Sequence, residues 1–237
     1  MDAEDERIRY AVRNTEILRA PKQSLSTFGT TNIYYYLVTE PAYSELAKND
    51  IETVVREGRV IAERPRIVTP YYLSRLEGFS SEARRYFDRL IEMHSPDAPG
   101  LFYTYKNEPK ELNIVSDNLL SVVSKLNDEI DKRGDPLASI IRGEDGLWDV
   151  SLMRFIYEVT RNSLRSNLMQ LGSRGLLGVD ASGIPVEARV RIEDLFRRVS
   201  RGDVEPGELK AELDRWNLFD EYEDRFFDIF NGGGEEE

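Results

Sequence analysis

The sequence predicts an α+β protein, with a strand-rich amino-terminal half forming a mixed sheet and a helical carboxy-terminal half packed on it. Three observations predict it. Thr27 to Thr39 is β-branched and aromatic almost throughout. The apolar spacing changes from two residues to the helical three-and-four near Ser80, and it changes again at Asp117. The expected organisation is an acidic lead over residues 1–6, one domain over 7–230 (strand-rich 7–115, helical 117–230) and a flexible acidic tail over 231–237.

Each element has its own signal. Ile8, Tyr10 and Val12 alternate within Arg7 to Leu18 and predict a strand, broken by Ala20-Pro21. In the next strand, Ile33, Tyr35 and Leu37 share one face, and Tyr34, Tyr36 and Val38 share the other. Both faces are largely apolar, so this strand is expected at the centre of the sheet, covered on both sides, with Tyr35 buried. Glu52–Arg56 and Arg59–Arg64 flank Glu57-Gly58, which reads as a two-residue hairpin turn with Arg56 and Arg59 exposed at its tip. Pro65 keeps the second of these strands from ending in the middle of a sheet. Ser80 or Ser81 caps a helix with Ala83, Phe87, Leu90 and Ile91 at helical spacing, ending near His94-Ser95-Pro96. Leu101–Tyr105 and Leu112–Val115 complete the β portion.

Beyond Asp117 the chain reads as almost wholly helical. Asp117 caps a helix carrying Leu120, Val123, Leu126 and Ile130, which Gly134-Asp135-Pro136 terminates. The longest helix runs from Leu147 to about Leu171. Pro185 opens a helix with Val186, Val190, Leu195 and Val199, and Pro206 opens one with Leu209, Leu213 and Trp216. A last helix carries Tyr222, Phe226 and Phe230 at i, i+4, i+8.

Composition excludes several classes. The 237 residues contain no Cys and one His, His94, so no disulfide framework, thiol nucleophile or two-histidine metal motif is available. Asp180-Ala181-Ser182-Gly183 resembles the start of a calcium loop, but Arg189 stands where that loop needs a bidentate Glu. No metal and no cofactor are expected. The acidic start, MDAEDER, is unlike a targeting signal, and the longest apolar run, Ile33–Val38, is far too short to span a membrane, so a cytoplasmic location is expected. There is neither a phosphate-binding Gly-rich loop ending in Gly-Lys-Ser/Thr nor a Gly-x-Gly-x-x-Gly. Ser116-Asp117-Asn118 reads as a helix cap, and His94 as an imidazole closing a helix.

Two features stand out. The net charge of −12 is polarised: residues 7–39 carry +4 and residues 205–237 carry −9. Within the basic half, Arg56, Arg59, Arg64 and Arg66, with Arg7, Arg9 and Arg13, are interleaved with Tyr34, Tyr36, Tyr71, Tyr72, Phe102, Tyr103 and Tyr105. Aromatic rings for stacking, ringed by guanidinium groups for phosphate pairing, suit single-stranded nucleic acid or a nucleotide. The bland account is that Tyr forms strands well and Arg beside Glu makes surface ion pairs. The second feature is the acidic aromatic segment with Trp216, Phe219, Tyr222 and Phe226, either a docking helix or a helix packed on its own domain. Two readings follow. One is a non-catalytic interaction or regulatory protein with a protein partner. The other is a nucleic-acid or nucleotide binder, or an enzyme acting on one, using the Arg/Tyr sheet face.

Overall fold

The computed structural model describes residues 3–41, 52–68 and 100–231. Over these the chain runs α1 (Ala3–Asn14), β1 (Glu16–Arg19), β2 (Thr31–Thr39), β3 (Thr53–Ala62), β4 (Arg66–Val68), β5 (Gly100–Phe102) and β6 (Tyr105–Val115). There follow α2 (Leu119–Arg133), β7 (Ala138–Arg142), α3 (Trp148–Ser173), α4 (Val186–Ser200), α5 (Pro206–Arg215) and α6 (Phe219–Asn231). The α+β class therefore holds. The chain divides into two compact units, Met1–Pro65 with Tyr103–Met169, and Arg66–Phe102 with Gln170–Glu237.

In the first unit five strands form one mixed sheet in the order β1–β7–β2–β3–β6. β2 pairs antiparallel with β3 and parallel with β7. Its two apolar faces receive two separate covers. Ile33, Tyr35 and Leu37 pack with Leu152, Phe155, Ile156 and Val159 of α3. Tyr36 and Val38 pack with Leu119, Val122, Leu126 and Ile130 of α2. Each such aliphatic or aromatic side chain removed from water contributes about 1.5–3 kcal/mol, so the double-sided pattern fixes this strand at the centre. Tyr35 is buried, as its alternation predicts.

Four elements differ from the sequence expectation. Where strands Leu101–Tyr105 and Leu112–Val115 are expected, the chain forms the short strand Gly100–Phe102 and one continuous strand, Tyr105–Val115. Residues 7–14 belong to a helix. Ala11 is buried, with Ile8, Val12 and Thr15 within three or four residues of it, so the same apolar positions satisfy a helical period as well as an alternating one. Glu57-Gly58 is no turn: β3 runs straight through it, with Tyr35 opposite Gly58. A Cβ on Gly58 would overlap the Tyr35 hydroxyl and ring, so this glycine admits a buried tyrosine rather than a reversal of the chain. β7 was hidden in the helical half. It is five residues long, four of them buried, and its apolar run Ile140-Ile141 is too short to declare a period.

The helix after Asp117 is capped by Asn118, whose Oδ1 accepts the Ser121 amide at 2.9 Å. Gly134 closes it in the left-handed region at φ 66°. The helix expected from Ser80 to His94, and with it Tyr71 and Tyr72, lies outside the described residues.

The second unit has its own core. β4 and β5 form a two-stranded antiparallel ribbon. Ile184, Ala188, Ile192, Leu195 and Phe196 of the α4 region pack with Leu209 and Leu213 of α5 and with Trp216, Leu218 and Phe226. Pro185 and Pro206 stand at the two helix starts expected of them.

Candidate functional site

Arg56 and Arg59 are three residues apart on one strand, and alternation sends them to opposite faces of the sheet. Arg56 lies on the α3 side, where its guanidinium donates to Asp145 Oδ1 at 2.8 Å and Thr39 Oγ1 at 3.1 Å, 5.7 Å from the Trp148 ring centre. Arg59 lies on the α2 side and donates to the Glu108 carboxylate. Their side chains are 16% and 33% exposed, which overturns the expectation of two free guanidinium groups at a hairpin tip. The cause is register: with no turn at Glu57-Gly58, both arginines sit within a strand and meet carboxylates brought by other elements. Lys106 and Arg59 together hold the Glu108 carboxyl down at about 2.

Tyr103 and Tyr105 lie with rings stacked at 6.3 Å and 11°, and their hydroxyls meet Asn167 and Thr160 of α3. Burial and the neighbouring Tyr105 push the Tyr103 phenol up to about 12. These two rings belong to the packing between sheet and α3. Arg64 follows β3, partly buried, and Arg66 opens β4 in the second unit, 3.7 Å from Glu212. The constellation is split between the two faces: Tyr34, Tyr36 and Arg59 share the α2 side, since Tyr34 opposes Arg59 and Tyr36 opposes Glu57, while Arg56 lies on the α3 side with Tyr103 and Tyr105.

The arginines of α1 are arranged differently. Helical spacing places Glu6, Arg9, Tyr10 and Arg13 at i, i+3, i+4 and i+7, with Arg7 beside them. They line a cleft of about 720 Å³ whose opposite wall is Glu144, Gly146 and Leu147. The helix is pinned at its carboxyl end. Arg154 donates to the Val12 carbonyl, Thr15 Oγ1 meets Ser151 Oγ at 2.8 Å, and Asn14 Nδ2 donates to Glu144 Oε1 at 3.3 Å. Tyr10 is 61% exposed, leaving its ring open to a ligand. Sequence reading assembled these three arginines but gave them to a strand. The signal that finds the cleft is the helical interval from Glu6 to Arg13.

In the second unit Trp216 and Phe226 are buried, and Phe219 and Tyr222 pack partly against the same core. Trp216 donates its indole N–H to Glu212 Oε1 at 3.1 Å. Arg189 donates to Asp180, Glu221 and the Tyr222 hydroxyl, tying α4 to α6. The acidic aromatic segment thus supplies core to its own unit, while Phe227 and Phe230 remain on the surface. Among the described residues no helix is long and apolar enough to cross a membrane. Nor does any group of three or more His, Asp or Glu side chains among them stand where it could hold a metal ion. No protein-family model, no curated protein and no solved structure matches the chain.

Proposed function

We propose that this is a binding protein and that the α1 cleft takes the phosphate–sugar–base unit of a nucleotide, free or within a single strand. The observation that carries the reading is the convergence of Arg7, Arg9 and Arg13 with an exposed Tyr10 on one cleft of about 720 Å³. Ligand clefts span about 300–1,000 Å³. Guanidinium groups pair with phosphate in a bidentate fork, and an open phenol ring offers a face for a base. The chain's net charge of −12 opposes polyanions at long range, but the positive balance over residues 7–39 acts within the Debye length of this cleft.

Fluorescence anisotropy with a labelled single-stranded oligonucleotide, competed by ATP, tests it. Three phosphate contacts on a single strand give a slope of log K against log salt of about −2, at roughly 0.7 per contact. Arg7→Ala, Arg9→Ala and Arg13→Ala combined should abolish binding at low salt, and Tyr10→Ala should weaken it while leaving the slope unchanged. Competition by ATP alone would identify a free nucleotide as the ligand. A folded chain that binds neither probe at low salt ends the proposal.

A second reading, a protein partner, has its own support. β6 is an edge strand whose first part is guarded by Lys106, Glu108, Pro109 and Lys110, while Leu112 and Ile114 beyond them are 58% and 55% exposed. An extended peptide adding to this edge would cover both side chains. Leu112→Lys with Ile114→Lys should abolish such an association and leave nucleotide binding untouched.

A further inference from the structure

The sheet face under α2 holds a second, smaller cavity of about 270 Å³. Tyr34, Tyr36 and Glu57 form its floor, and Lys110, Arg133 and Asp135 its rim. Local geometry aims the rim residues. Glu57 pairs with Glu111 and Gly58 with Pro109, so Lys110 is the extra residue of a β-bulge and has no partner on β3. Bulges redirect side chains, and the Lys110 ammonium stands 5.3 Å from the centre of the Tyr34 ring. Arg133, in the last turn of α2, donates to the Tyr36 hydroxyl at 2.6 Å, and the left-handed Gly134 then turns the chain to Asp135.

Between these cations sits Glu57, half-buried, and no described residue donates a hydrogen bond to its carboxylate. Burial, then the neighbouring Glu111, push its pKa up, while Arg133 and Lys110 hold it back. Lys110 and Arg133 in turn make no ion pair with any carboxylate among the described residues. The cavity therefore brings the Glu57 carboxylate and the Lys110 and Arg133 cations, none of them in an ion pair among the described residues, to the same small volume beside Asp135, whose carboxylate accepts the Leu137 amide, and partial desolvation strengthens each charge.

We propose that this cavity binds a small zwitterion of the free α-amino acid class, its ammonium on Glu57 and its carboxylate on Lys110 and Arg133. Both charges of such a ligand find a partner, and its carbon skeleton lies against the two tyrosines of the floor. A ligand with one charge would leave either the Glu57 carboxylate or the cations facing an uncharged wall. The site shares no lining residue with the α1 cleft.

Thermal unfolding of the full chain tests this, run with each common L-amino acid and with acetate and methylammonium as single-charge probes. At least one amino acid should raise Tm in a saturable way, and neither single-charge probe should do so at the same concentration. Glu57→Gln keeps the shape and removes the charge, and it should weaken the apparent Kd at least tenfold. Lys110→Ala should do likewise, and Lys106→Ala, at an exposed position outside the cavity, should leave it unchanged. Stabilisation by no amino acid, equal stabilisation by a single-charge probe, or an unaltered Kd in Glu57→Gln would each overturn the proposal. The wild-type chain alone supplies the first two results, so they stand even if a variant misfolds.

Discussion

Gly58 lies opposite Tyr35 across the β2–β3 pair, and the tyrosine ring fills the space that a Cβ would need. Tyr35 could be assigned to the core because Ile33 and Leu37 flank it at two-residue spacing. The role of Gly58 could not, because a glycine after Glu reads as a turn until the ring lying over it is seen. Gly58→Ala should destabilise the chain by about 1–3 kcal/mol, as overpacking against a fully buried tyrosine does, measured as a lower denaturant midpoint. Ser139 sits opposite Tyr35 on β7, fully buried, with its hydroxyl unpaired among the described residues. Ser139→Ala removes that unsatisfied group and should raise stability by about 1 kcal/mol. The pairings of Arg56 with Asp145 and Arg59 with Glu108 span 89 and 49 residues, a separation over which sequence periodicity carries no information. Alkaline behaviour follows from the tyrosines. Burial raises the phenols of Tyr35, Tyr103 and Tyr105 above their unfolded value of about 10. The folded state then holds these protons more tightly than the unfolded chain. Its advantage is complete below about pH 10 and is lost as pH climbs through the Tyr103 value of about 12. Phenolate absorbance and circular dichroism should change together across that window, and Tyr103→Phe should flatten the loss.

Among the elements, length and flanking chemistry decided what could be read. α2, α4 and α5 carry a cap or a proline at their starts, and α3 has several turns of consistent spacing, so their existence is plain in the sequence. α1 and β7 are not, for opposite reasons. Residues 8–12 fit both periods at once, and β7 has too few residues to show one. The position of the candidate site suffered accordingly, since its three arginines only line a single cleft when residues 6–13 are helical. The acidic aromatic helix α6 could be read as either docking element or core, and packing settles its geometry. Leu218 and Phe226 are buried and Phe219, Tyr222 and Ile229 pack on them. Deleting residues 217–237 should therefore cost the second unit its fold, seen as lost near-ultraviolet aromatic signal and a lowered Tm. The C-cap of α2 offers a finer test. Gly134 at φ 66° pays no steric cost for the left-handed region, and Gly134→Ala should lose about 1–2 kcal/mol with nothing else disturbed, because open space surrounds the position.

At the scale of the molecule, the charge map and the packing map divide the chain in related places. The excess of positive charge over residues 7–39 belongs to the unit with the sheet, and the −9 of residues 205–237 belongs to the other unit. Each unit is stabilised by apolar side chains of its own: two clusters on the two faces of β2 in the first, and one cluster among α4, α5 and α6 in the second. A sequence with one continuous set of periodic segments suggests one domain, because periodicity records which residues are buried and not which cluster receives them. Separate clusters predict separate cooperative units, since local opening free energies follow the contacts broken. Leu213 is fully buried in the second unit, and Leu213→Ala should remove about 2–5 kcal/mol there. Native-state hydrogen exchange should then accelerate at amides of α4 and α5, such as those of Ile192 and Leu209, by a common factor. The amides of Val60 and Ile140, in the paired strands of the sheet, should keep their wild-type protection. Uniform acceleration across both sets would mean that the chain opens as a single cooperative domain.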